Sequence, residues 1–188
     1  MKAQSFMRYV VMVLAGLALM APAAGAQANS NVAGVNLNAV LNPLLAVNAT
    51  PFTVNFAMQP GASDIGDSPI TINTRWILPF VPGKPNINLS LYAYFTAPAA
   101  ALTNGLGNNI PASKVSGSVN GAAYSPFTAA SPFSAASLVI FAQTIKTTPG
   151  NPGSGQRIDS LDMQIDTSGL GLPAGTYTGV LVIRAQAI

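Results

Sequence analysis

Five aspartates are the only side-chain carboxylates in this 188-residue chain, which has no histidine, no cysteine and no glutamate. Zinc and copper sites draw on imidazole and thiolate ligands, so the sequence argues against both. Calcium takes oxygen ligands, and Asp159, Asp162 and Asp166 form the densest acidic group. On a strand, Asp159 and Asp162 face opposite ways. Asp162 and Asp166 share a face but sit ~13 Å apart at ~3.3 Å per residue, too far to chelate one ion. The group therefore reads as a solvated polar face. Asp64 and Asp67 lie in a Gly-containing loop and read as turn residues.

Nucleophilic chemistry fares no better. Without histidine the Ser-His-Asp arrangement is absent. Neither Gly-x-Ser-x-Gly nor Ser-x-x-Lys occurs. No two aspartates sit in the context of a glycosidase carboxylate pair. Gly169 to Ala174 (GLGLPA) fits a relaxed Gly-x-Gly-x-x-Ala pattern, but Pro173 and Gly175 lead into strand-like sequence, whereas a dinucleotide fingerprint opens a helix. The chain reads as non-enzymatic, without cofactor or metal. The best binding feature is Tyr92 with Tyr94, two aromatics on the polar face of one strand. They could stack on a sugar or anchor a protein partner, or pack against cross-strand neighbours.

The elements that must position these residues are strands. Asn86 to Phe95 alternates most clearly, with Ile87, Leu89, Leu91, Ala93 and Phe95 on one face. Pro51 to Met58 places Phe52, Val54, Phe56 and Met58 together, and Pro69 to Leu78 does the same for Ile70, Ile72, Trp76 and Leu78, which makes Trp76 a core residue. Arg157 to Asp166 turns Leu161, Met163 and Ile165 inward. Ser137 to Ile145 is apolar at both parities and reads as a central strand. Leu44 to Val47 begins another strand. Asn120-Gly121 predicts a type I′ hairpin between Ser113–Val119 and Ala122–Phe127. Thr147 to Gln156 reads as a loop, and one short helical turn is expected around Ala99–Leu102. The last seventeen residues, Leu172 to Ile188, open with a Pro-Ala-Gly turn and read as a closing strand covered on both faces. The pattern predicts an all-β, Ig-like sandwich of about eight or nine antiparallel strands.

The first 26 residues have the plan of a secretory signal. Lys2 and Arg8 precede the apolar run Tyr9–Met20, and Ala24-Gly25-Ala26 places cleavage between Ala26 and Gln27. The domain then spans 27–188. Removing Lys2 and Arg8 from the eight basic residues leaves six against five aspartates, a net charge of +1. That balance offers no footprint for nucleic acid, and no segment of the mature chain reads as a membrane span.

The closing sequence LPAGTYTGVLVIRAQAI resembles the last strand of bacterial exported Ig-like sandwiches of the spore-coat-U and cysteine-free chaperone–usher pilin kind. The stretch VNLNAVLNPLLAVN, Val35 to Asn48, is similar in style to the arm that follows the signal peptide in such pilins. The resemblance covers about thirty residues at the two ends, and the absence of cysteine departs from spore-coat-U and typical pilins. It implies a fimbrial or surface-matrix protein at the periplasm, cell surface or exterior, with itself or other exported proteins as partner. It also implies β-strand addition, with Val35, Leu37, Ala39 and Leu41 as the donor face and the acceptor groove beside Tyr177 to Ile188. Read without the resemblance, residues 33–41 are the first strand of a self-complete domain. The alternative function is an adhesin or carbohydrate- or protein-binding module using Tyr92 and Tyr94.

Overall fold

Alternating apolar residues build two antiparallel sheets that face each other across one core. The computed structural model describes residues 44–188, all within one compact unit, Val40–Ile188. The cleavage site at Ala26 and Gln27 and the donor residues Val35, Leu37, Ala39 and Leu41 lie outside the described residues. The strands are β1 (Leu44–Thr50), β2 (Ser63–Ile65), β3 (Ile70–Leu78), β4 (Asn86–Tyr94), β5 (Leu102–Thr103), β6 (Asn109–Ile110), β7 (Val115–Val119), β8 (Ser125–Pro126), β9 (Ser137–Lys146), β10 (Gly153–Asp166) and β11 (Val182–Ala187). The larger sheet has the order β1-β3-β10-β7-β8, with β2 also on β10; the smaller is β11-β4-β9, and β5-β6 form a short hairpin. The expected all-β sandwich is found. Its described strands number eleven rather than eight or nine because four of them are only two or three residues long.

The inner face of the larger sheet follows the register of β3 on β10. Leu78 pairs with Gly153, Trp76 with Gly155, Thr74 with Arg157, Ile72 with Asp159 and Ile70 with Leu161, after which Met163 and Ile165 continue the row. Leu89, Leu91, Ala93, Phe95, Leu138 and Phe141 answer from the smaller sheet, and all are buried. Trp76 lies in the core, as expected. Gly153 to Gln156, expected as loop, is the start of β10. The glycine there is a packing requirement: a Cβ on Gly155 would overlap the Trp76 ring, 2.8 Å from Cε2.

Strand β9 corrects another expectation. It is an edge strand of its sheet among the described residues, not a central one. Its double-parity apolar pattern comes from a β-bulge: Leu91 pairs with Phe141 but Tyr92 with Val139, so Ile140 is extra. Leu138 and Ile140 face inward before the bulge and Phe141 and Ile145 after it, as an inserted residue flips the alternation. Asn120 and Gly121 both take positive φ, 52° and 77°, and the Ala122 N–H donates to Val119 O, as the turn prediction requires. The return strand is shorter than expected, with only Ser125–Pro126 pairing on β7. A 3-10 turn occupies Pro98–Ala100, near the expected helical turn.

Two expected strands end early because their ladder partners run out. Pro51 to Met58 alternates in burial but joins no sheet. Thr50 pairs with Thr71 at the start of β3, and beyond that level β2 occupies β10. Phe52, expected on the shared face, is 92% exposed. The closing strand begins only at Val182, opposite Tyr94 at the end of β4. The chain before it turns to the β5 hairpin, where Thr178 and Thr103 exchange both backbone hydrogen bonds at 2.9 Å.

Candidate functional site

The two extended segments that leave the sheets early form the walls of one groove, of about 870 Å³. Val54, Phe56 and Met58 line one wall, and Tyr177, Leu181 and Ile183 the other. The floor is core: Ile70, Phe95, Val115, Met163 and Ile165. The groove therefore opens between the sheets, at the end where β1 gives way to Pro51 and β11 begins. The edges of both sheets on this side, β1 and β11, carry no further strand among the described residues.

Each wall is fixed by contacts with neighbouring segments of the chain. Asn55 donates to Asp67 through its backbone N–H (3.1 Å to Oδ1) and its Nδ2 (2.8 Å to Oδ2), and the Asp67 N–H returns a bond of 2.9 Å to Asn55 O. The Asn55 side chain, its backbone N–H and the Ser68 hydroxyl together hold the Asp67 carboxyl below the usual carboxylate range. Asp67 is thus a staple of the wall as well as a turn residue. Gly66 lets the wall lie close, because a Cβ there would overlap Val54. On the opposite wall a Cβ on Gly179 would overlap the Ala101 carbonyl. Among the described residues Tyr177 is the one ionisable side chain in the groove lining, and its hydroxyl donates to Pro173 O at 3.1 Å. This lining suits apolar side chains and an extended backbone; among the described residues it holds no acid–base pair.

The other residues singled out by sequence scatter over the fold. Asp159 and Asp162 do face opposite ways, but Asp159 does not belong to a solvated face. It is 1% exposed and bonded by Arg157 Nε (2.9 Å to each oxygen) and Asn120 Nδ2 (2.8 Å). The Arg157 guanidinium lies over the Phe141 ring of the opposite sheet, 4.7 Å from its centroid. Strand parity explains the burial: a carboxylate two residues before Leu161 shares its inward face and is kept there by its pairing. Asp166 lies 3.5 Å from Lys114. Among the described residues no three His, Cys, Asp or Glu side chains gather as a metal site, and no helix is long and apolar enough to cross a membrane. Gly169 and Gly171 take positive φ in a turn with no helix after it.

Tyr92 and Tyr94 lie on the outer face of the smaller sheet. Tyr94 is buried against Phe133, with ring centroids 5.6 Å apart and near-parallel planes, while half-buried Tyr92 meets the same ring edge-on at 5.8 Å. The sequence reading missed Phe133 and Arg184, whose guanidinium caps Phe133 at 4.4 Å. It also missed the groove-lining position of Val54, Phe56 and Met58, whose alternation was legible but whose lack of a ladder was not. No protein-family model, curated protein or solved structure matches this chain.

Proposed function

We propose that this protein is a non-enzymatic, exported structural subunit of the bacterial surface that assembles by β-strand addition. Its groove takes an alternating apolar strand, and the donor is the Val35, Leu37, Ala39, Leu41 face of another copy. The observation that carries the reading is the groove itself: an apolar slot floored by the core, between two sheet edges, walled by extended backbone. Such a slot matches what strand addition uses, main-chain partners for affinity and side-chain pockets for register. The absence of His, Cys and Glu and the low charge of the chain support a packing role over a catalytic one.

Reach favours a second copy as donor. Leu44 stands level with Ile77 and so with Ser154 of β10. Met163 lies nine residues further along β10, ~30 Å at ~3.3 Å per residue. Leu41 can extend at most ~11 Å from Leu44, and only Val35 approaches ~32 Å. A chain's own arm therefore cannot lay all four side chains over Met163 and Ile165; an arm from another copy has no such tether.

The test compares residues 27–188 with a chain starting at Asn42, by size-exclusion chromatography and negative-stain electron microscopy. The longer chain should form ladders or fibres, and the shorter one a soluble, less stable monomer. A stable monomer from the longer chain, with an unfolded shorter one, would make the arm an internal strand and end the polymer reading.

A further inference from the structure

The outer face of the smaller sheet carries a second, separate feature. All five aspartates belong to β2, the loop after it and β10, on the larger sheet. Strands β4, β9 and β11 carry none, and their cations are Arg184 and Lys146. Arg184 is exposed and, among the described residues, forms no ion pair, whereas Arg157 and Lys114 each have an aspartate. Its guanidinium is nevertheless fixed, resting on Phe133.

Phe133 is in turn held by a serine network. Its N–H and that of Ser134 donate to Ser131 Oγ, both at 3.2 Å. Ser134 Oγ donates to Phe95 O at 2.8 Å, and Ser137 Oγ donates to Ser134 O at 3.0 Å. The aromatic platform under Arg184 is therefore built before any ligand arrives. Arg184 lies directly across from Tyr92. From this pair a neutral polar lane follows β4: Gln186 opposite Ser90, then Asn88, which accepts a bond of 3.0 Å from Thr144. It ends where Lys146 pairs with Asn86, six residues and ~20 Å from Tyr92.

We propose that this lane binds an acidic polysaccharide, with a uronate carboxylate on Arg184 and the pyranose ring beside Tyr92. A guanidinium stacked on an aromatic keeps its in-plane N–H groups free for a bidentate carboxylate. Hydroxyl and amide side chains between the two cations suit sugar hydroxyls. Two cations ~20 Å apart, with neutral groups between, do not form the clustered basic patch that a nucleic acid would meet. The lane lies on the outer face of the smaller sheet, whereas the groove opens between the sheets.

Calorimetric titration with trigalacturonate tests it, since heat is read alike from monomer and polymer. Binding is expected for trigalacturonate and not for its methyl ester. R184Q should weaken binding by about tenfold or more, as loss of a charge-assisted hydrogen bond implies, and R184K should retain part of it. An unchanged near-UV spectrum of R184Q would separate lost contact from lost fold. Equal binding by R184Q, equal binding of the ester, no heat with any uronate, or equal binding of poly-glutamate, which would make the ligand an acidic peptide, would each overturn the proposal.

Discussion

Replacing Asp159 by Ala should cost about 3 kcal/mol, the low end of the ~3–5 kcal/mol seen when one partner of a buried ion pair is removed. The low end applies because the Arg157 side chain is 38% exposed while that of Asp159 is 0% exposed, so the stranded guanidinium recovers some water. The loss also leaves Asn120 Nδ2 without its 2.8 Å acceptor. In urea, with a slope of ~2 kcal/mol per molar, the midpoint should fall by ~1.5 M. Arg157→Met should be worse at neutral pH. It strands a carboxylate with no solvent access, with Asn120 Nδ2 as its remaining partner. The double replacement Arg157→Met with Asp159→Leu should be more stable than either single variant, because no charge is left buried. A midpoint loss under ~0.5 M for Asp159→Ala would refute a stabilising role for this buried pair within β10.

Two further outcomes follow from the packing and the titration of the fold. Gly155→Ala should destabilise by ~1–3 kcal/mol, because its Cβ enters the space of the Trp76 ring; a shift in the tryptophan emission of the folded protein should accompany the loss. Asp67 and Asp166 both have lowered folded-state pKa values, Asp67 through Asn55 and Asp166 chiefly through hydrogen bonds from Ser168. The stability they contribute is present above the ordinary carboxylate range and is lost as pH falls through the lowered folded values. Unfolding midpoints should therefore drop on acidification toward pH ~3, and Asp67→Asn should flatten that drop.

Much of the architecture was legible because burial on one face of a strand imposes a period of two. Ile70, Ile72, Trp76 and Leu78, the row of Leu161, Met163 and Ile165, and the inward face of β4 all follow from that period. The Asn-Gly turn was legible because positive φ at two successive residues restricts residue type. Glycine misled at Gly153 and Gly155, where the same residue that marks a loop instead makes room for a facing ring. Asp159 misled because a carboxylate type argues for solvent, while its parity and its partner Arg157 decide for the core.

By itself, the sequence determined the all-β class, the core rows and the absence of the side chains that most catalytic and metal sites use. Only the tertiary structure decided where alternation becomes a sheet. Pro51–Met58 and Tyr177–Leu181 look like strands, yet they line a groove because β3 starts at Ile70 and β4 ends at Tyr94, leaving no ladder partner at their level. Likewise only the fold brought Phe133, from a serine-rich loop, between Tyr94 and Arg184. Local pattern reports which face of a segment shuns water; pairing depends on where distant segments stop, and that is settled only when the whole chain is packed.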